Sequence, residues 1–320
     1  MKVMLASAWG GGLAFDALER HAARDRFQVH TRVSDPETAD LILFVENVHF
    51  EDLEWRAVRG HELVRRYREK TFLYNEADAP WCVMPGLYCS MPARAFQPRR
   101  QKAFNYLYTM NDKLQGPAGG ERRWLYSFMG AANHDSRRRI LALKDEQAVL
   151  KDTSSFNIWH RPSAAEREER QRHYAEVMAG SCFALCPRGT GTSSYRLFET
   201  MQMGIAPVLI SDQWVAPEGP DWDSFMLRVR ENGVAALPRI LREHEAEALE
   251  RGAKAHAAYQ EWFSPEVQFH RAVEALRELV ARRRLPEAVS RFRPSLEHQR
   301  ARLRRWLQAG KKYVRGAASK

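Results

Sequence analysis

The sequence predicts an α/β protein of two Rossmann-like domains, and three observations carry that expectation. Short apolar segments of strand length alternate with segments of helical spacing, the pattern of a parallel sheet with crossover helices. The alternation runs twice, from Lys2 to about Asp78 and again from Trp124 onward, with a stretch rich in Pro and Gly between the two runs. The chain has 320 residues, more than the ~250 at which a single core stops growing.

The opening KVMLASAWGGG reads as an apolar strand entering a glycine-rich turn, and LAFDALERHAARD follows with helical spacing. Further strands are predicted at FQVHTRV, ADLILFVE and KTFLYNEAD, with one helix over EDLEWRAVRGHELVRRYREK. From Ala79 to Arg123 the pattern dissolves into irregular loops, with a sheet segment near FNYLYTM and a linker at QGPAGGERR. The second run begins with the strand WLYSFMGA, the helix SRRRILAL, a strand near FNIW and a charged helix from Ser163 to Ala179. SCFALCPRGTGTSSYRLFETMQMGIAPVLISD then spells strand, Gly/Thr/Ser turn, amphipathic helix, Gly turn and strand, a βαβ unit of usual length. Helices are expected over Pro238–Leu249, Gly252–Trp262 and Pro265–Arg283. The domains are drawn at 1–118 and 119–283, with a basic helical tail over 284–320.

Composition describes a folded globular protein, at 44% hydrophobic and 11% aromatic. No apolar run nears the ~20 residues of a membrane span, and the N-terminus lacks the apolar core of a secretory signal, so a cytoplasmic location is expected. Four cysteines at these spacings fit buried thiols better than disulfides or zinc. The net charge of +10 is local: 13 of the 50 Lys and Arg, against 2 of the 40 Asp and Glu, lie between Ala281 and Lys320. A basic tail on a neutral body points to contact with an anionic membrane surface more than to nucleic acid. Helical spacing there groups Leu303, Trp306 and Leu307 against a basic remainder, as in an interfacial helix.

The turn PRGTGTSSYR carries the chemistry. In an open α/β sheet, ligands sit beyond the carboxyl ends of the strands, where a helix N-terminus offers free N–H groups to an anion. Gly189 and Gly191 would let backbone approach a phosphate, Thr192, Ser193 and Ser194 add hydroxyls, and Arg188 or Arg196 would neutralise charge. Glu199, three residues beyond Arg196 on the same helical face, is a candidate acceptor for a ribose diol. The same residues also fit a plain helix cap and a surface Arg196–Glu199 pair. Neither GxxxxGK[ST] nor GxGxxG is present.

The longer stretch from Tyr174 to Val229 resembles the exostosin family of glycosyltransferases in its order of landmarks. These are F-x-L-C-P-x-G, Ser-x-Arg-x-x-Glu, Gly-x-x-Pro-Val-x-x-x-Asp, a following Pro and W-x-x-F; upstream, YSFMGAANHDSRRRI matches the family's strand, Gly turn and arginine-led helix. The resemblance runs from about Leu125 to Phe269. It implies a GT-B fold, two Rossmann-like domains facing across a cleft, and an inverting transfer from a nucleotide-sugar, a UDP-sugar before a GDP- or CMP-sugar. By position Glu199 would bind ribose, Ser194 and Arg196 the diphosphate region, and Arg137 or Arg138 the same phosphates. The donor is a co-substrate, and neither a cofactor nor a metal is expected. The N-terminal half would hold the acceptor, a glycan or lipid-linked saccharide. No membrane anchor is evident, as in a bacterial-type cytoplasmic version of the family.

An inverting transfer needs a general base and positive groups at the leaving diphosphate. Glu46 ends one N-terminal strand, and Glu76 and Asp78 end another. The close pair Glu76 and Asp78 is the stronger candidate, since neighbouring carboxylates raise one pKa. His49 and His134 are weaker candidates, and Trp81, Tyr88 and Trp214 could stack on sugar rings. Asp221 and Asp223 only superficially form a D-x-D metal motif. The rival reading is a non-catalytic protein that binds anionic surfaces or nucleic acid through its tail.

Overall fold

The computed structural model describes residues 1–47, 52, 54–78, 82–109, 111–155 and 163–287. Its first unit runs β1 (Lys2–Ala6), α1 (Leu13–Ala23), β2 (Thr31–Arg32), β3 (Leu41–Glu46), α2 (Arg56–Gly60), α3 (Glu62–Arg66), β4 (Thr71–Asn75), β5 (Gly86–Tyr88) and β6 (Gln101–Ala103). The second runs β7 (Trp124–Gly130), α4 (Asp135–Leu141), β8 (Ala148–Asp152), α5 (Ala164–Ala179), β9 (Ser181–Pro187), α6 (Tyr195–Gln202), β10 (Ala206–Ile210), β11 (Leu227–Arg228), α7 (Leu237–Glu243), α8 (Ala248–Trp262) and α9 (Pro265–Arg282).

Both sheets are parallel throughout, in the orders β2-β1-β3-β4-β5-β6 and β11-β10-β9-β7-β8. Each reverses direction next to its first strand, so each has a topological switch point, β1/β3 and β7/β9. The expected two doubly wound units are therefore present. The continuous apolar run of β3 follows from burial on both faces. Leu41, Leu43 and Val45 join one core with α1 and α9, while Ile42 and Phe44 join another with Trp55 and Val58.

Local readings differ in five places. FQVHTRV pairs only at Thr31–Arg32, because the Asp25 carboxylate accepts from the Gln28 amide at 3.1 Å and Gln28 takes φ 52, a turn. The helix expected over residues 51–70 breaks at His61, whose extended backbone and ring nitrogen, accepting from Leu63 N at 3.2 Å, start α3 afresh. Of FNYLYTM, residues 104–109 follow β6 but leave the sheet as a loop, and Met110 lies outside the described residues. The strand beside β7 is β8, and the FNIW segment lies outside the described residues. Finally, the helices after β11 fall at α7, α8 and α9, with Glu245–Glu247 as a 3-10 turn between α7 and α8.

The chain reaches the second unit by Leu114, whose carbonyl accepts from Gln202 and whose side chain packs with Ala175 and Met178. It returns at the end, where α9 lies on α1 and against β5 and β6. Phe269, Ala272, Val273, Leu276 and Leu279 of α9 complete the core of the first sheet. That core continues through Leu197, Phe198 and Met201 of α6, so the two units share one apolar interior. Among the described residues no helix is long and apolar enough to cross a membrane.

Candidate functional site

The site lies at the switch point of the second sheet. There the turns after β7 and β9 leave neighbouring strands, and Arg137 from α4 joins them. Burial of Ser136 and Ile140 fixes the phase of α4 and turns Arg137 inward. Its Nε donates to the Arg188 carbonyl at 2.8 Å, Nη2 to Pro187 O at 3.3 Å and Nη1 to Ala131 O at 3.4 Å. Burial, followed by the nearby charge of Arg196, lowers its pKa to about 10, and it still carries its cation at neutral pH. Arg138, the next residue, is exposed and contacts Asp135 and Ala132 on the outer surface. Of the two arginines read from the sequence, only Arg137 joins the site. Arg188 reaches Thr190 O at 3.2 Å and stands 3.8 Å from Glu231.

The α6 N-terminus closes the turn. Ser194 is its N-cap and accepts from the Arg196 amide at 3.3 Å, while the Ser193 amide donates to Ser90 Oγ of the first unit at 3.3 Å. Gly191 departs from expectation: the space over it belongs to protein. A Cβ there would come within 1.8 Å of Asp78 Oδ1 and 2.1 Å of Ser90 Oγ, so its missing side chain admits the first unit. Asp78 accepts from Ser90 and from the Gly191 amide, with Arg188 and Arg137 nearby. A carboxylate is thus the anion that this turn holds.

Arg196 and Glu199 share a helical face, as their spacing requires, but they do not form a surface pair. Arg196 is half-buried against Phe128, 4.7 Å from the ring centroid, and donates to the Met129 carbonyl and, at 3.1 Å, to the Tyr174 hydroxyl. That hydroxyl donates to Glu199 Oε2 at 2.9 Å. Burial raises the Glu199 pKa and Arg196 opposes the rise. Tyr174 was missed as a site residue; its sequence signal was the aromatic preceding the small-residue turn. Glu199 lines an interdomain cavity of ≈ 230 Å³ with Arg20, His21, Tyr106, Tyr195 and Gln268. Asp78, Arg137 and Arg188 stand outside that cavity's wall, toward the turn.

The three N-terminal carboxylates differ sharply. Glu46 accepts from Ala8 N at 2.7 Å and Ser7 Oγ at 3.3 Å, and burial raises its pKa to about 7. Glu76 accepts from Leu107 N at 2.6 Å and Asn47 Nδ2 at 3.2 Å, and burial raises it to about 8. Both are almost without solvent contact. Asp78 is exposed as a residue, and loss of hydration where its carboxylate enters the cleft raises its pKa as well. Desolvation, rather than repulsion between Glu76 and Asp78, therefore moves these groups. Around Glu76 the two units are joined by aromatic contacts: Tyr106 stacks on Tyr195 at 3.8 Å, and the Tyr195 hydroxyl lies 3.3 Å from that of Tyr108.

Other sequence candidates are structural. His134 caps α4, accepting from Ser136 N at 3.3 Å. Tyr88 is buried with its hydroxyl donating to Met84 O at 2.6 Å, and Trp214 packs edge-on against Trp222 at 5.0 Å, so neither offers a ring face to a sugar. His49 and Trp81 lie outside the described residues.

Two Rossmann-like units closed over a cleft, with an anion-holding turn at the switch point of the second, define the GT-B class of fold. Residues 92–244, a little under half of the chain, match the model of the Exostosin GT47 domain. The family model begins well before Leu125, so the loop after Pro92 belongs to the resemblance too. A segment of 70 residues, 21% of this chain and 18% of the relative, is 41% identical to an Exostosin-1 homolog of Caenorhabditis elegans. Over 96 residues, 28% of this chain and 21% of the relative, it is 36% identical to a probable glucuronoxylan glucuronosyltransferase of Arabidopsis thaliana. The matches thus span about a fifth of each relative's length. Among solved structures, MurG of Acinetobacter baumannii aligns at 10% identity over 88% of this chain and 99% of its own, with a TM-score of 0.39.

Proposed function

We propose that the protein is an inverting glycosyltransferase that moves a sugar from a nucleoside-diphosphate donor, a UDP-sugar first, to a hydroxyl of a glycan or lipid-linked saccharide, with a GDP- or CMP-sugar as the alternative donor. The observation that carries this reading is the apposition across the cleft of Asp78 and the turn 188–194, backed by Arg137 and Arg188.

In this reading the donor diphosphate takes the place over the turn, where backbone amides, the α6 N-terminus and two arginines offset its charge. Asp78, displaced from Gly191, takes the proton of the acceptor hydroxyl. The hydroxyl oxygen bonds to the anomeric carbon as the bond from that carbon to the diphosphate breaks, and configuration inverts. The cationic side chains stabilise the leaving diphosphate as charge develops on it. Asp78 is the base of choice because, of the three carboxylates, it is the one set against the Gly191 turn across the cleft, and the loss of hydration there raises its pKa and favours proton uptake. Glu199 accepts from the ribose diol. We place the protein in the cytoplasm, with its basic tail on an anionic membrane surface.

Calorimetry with UDP, GDP and CMP tests the donor. One of them should bind, and Glu199→Ala should weaken it about tenfold or more, the ~1.4 kcal/mol of a charged hydrogen bond. Failure of all three to bind sinks the glycosyltransferase reading; unchanged affinity in Glu199→Ala removes the ribose assignment alone.

A further inference from the structure

Outside the lining of the interdomain cavity, His30, in the loop before β2, meets His270 and Glu274, which lie one turn apart on α9. Their ligand atoms all fall within 4.8 Å of one another. We propose that these three side chains bind a divalent transition ion of the zinc class and so fasten α9 to the β2 edge of the first sheet.

The first support is unsatisfied nitrogen. His30 has a side chain only 4% exposed, and its Nε2 lies 3.2 Å from Glu274 Oε1, yet that contact lacks hydrogen-bond geometry. His270 Nδ1 is also buried without a hydrogen-bond partner. Two such nitrogens in one cluster are costly to leave unmet, and one cation ligated by both would satisfy them together.

The second support is proximity fixed by packing. The two imidazoles lie nearly parallel, with centroids 5.0 Å apart, and Phe27 stacks on His270 at 4.0 Å. His270 and Glu274 share a helical face at i and i+4. Met1 N contacts His30 Nδ1 at 3.2 Å, which leaves Nε2 to face Glu274. Burial lowers the pKa of both histidines, keeping the rings in the neutral form that ligates metal.

The donor set names the ion. Two imidazoles and one carboxylate suit zinc-like ions and disfavour calcium or magnesium, which prefer all-oxygen shells. A tetrahedral zinc ion holds its donor atoms about 3.3 Å apart, so the cluster must contract by roughly 1.5 Å at its widest, within reach of side-chain rotation. The fourth position is open to water.

The test uses the untagged full chain, stripped with a chelator and titrated with Zn²⁺ against a chromophoric competitor. One equivalent should bind at micromolar or tighter affinity and raise the Tm. His270→Ala should lose about tenfold or more in affinity together with the Tm rise, and should keep its nucleotide affinity. Should His270→Ala fail to fold, Glu274→Gln, which keeps size and burial, should show the same loss. Absence of saturable Zn²⁺ binding, or equal binding by the wild type and these variants, overturns the proposal.

Discussion

Asp78 illustrates how much depends on a single side chain's surroundings. Glu46, Glu76 and Asp78 all end strands of the first sheet, and residue type and position alone cannot rank them. Contact with the second unit ranks them, since Asp78 is the one that meets the Gly191 turn. Asp78→Asn keeps the shape of the side chain but cannot take a proton at neutral pH. It should lower kcat by about a hundredfold or more while nucleotide affinity holds. An unchanged kcat would move the base to Glu46 or Glu76. Surroundings decide other roles in the site too. The run SRRRI shows two adjacent arginines, and only the buried phase of α4 separates Arg137 from Arg138. Spacing correctly put Arg196 and Glu199 on one face, but the hydroxyl of Tyr174 between them comes from α5 and could not be inferred from α6.

At the scale of elements, long periodic segments were legible and short ones were not. β3, β7, β9, β10, α1, α5 and α9 fall close to where hydrophobic pattern and capping residues put them. Ser163 even forms the full capping box with Glu166 that starts α5. The missed strands β5, β6 and β8 are three to five residues long, and their pairing with distant partners stabilises them rather than any local preference. The fit of α8 yields a sharper expectation. Gly252 lies where α8 crosses the turn before β10, and a Cβ there would come within 2.2 Å of the Gly204 carbonyl oxygen. In an exposed helix Gly→Ala gains about 1 kcal/mol. Gly252→Ala should instead lower the Tm by several degrees, because backbone cannot yield. Gly60→Ala in α2, where nothing lies within 4 Å, serves as the comparison and should be neutral or stabilising. A stable Gly252→Ala would mean that α8 shifts freely on the sheet.

For the whole molecule, the charge asymmetry was the plainest sequence feature, and its reading as a membrane contact depends on a segment beyond Glu287, outside the described residues. The end of α9 is tied down before that point. Lys102 bridges to Glu278 at 2.7 Å and also to Glu218, Arg283 meets Glu69 at 3.0 Å, and Arg100 pairs with Glu287. A truncation should therefore begin after Glu287, leaving these pairs intact. It should abolish co-sedimentation with phosphatidylglycerol vesicles and leave nucleotide affinity as in the full chain. Vesicle binding that survives the truncation would place the membrane contact elsewhere or remove it.

The return of α9 also sets an order of events in synthesis. The first sheet is complete in sequence by Ala103, but Phe269, Val273, Leu276 and Leu279, which cover one of its faces, are translated after the whole second unit. At ~5–20 residues per second, that face waits on the order of ten seconds or more for its cover while the chain is still on the ribosome. The two units are thus not successive folding events: the half made first is the half finished last.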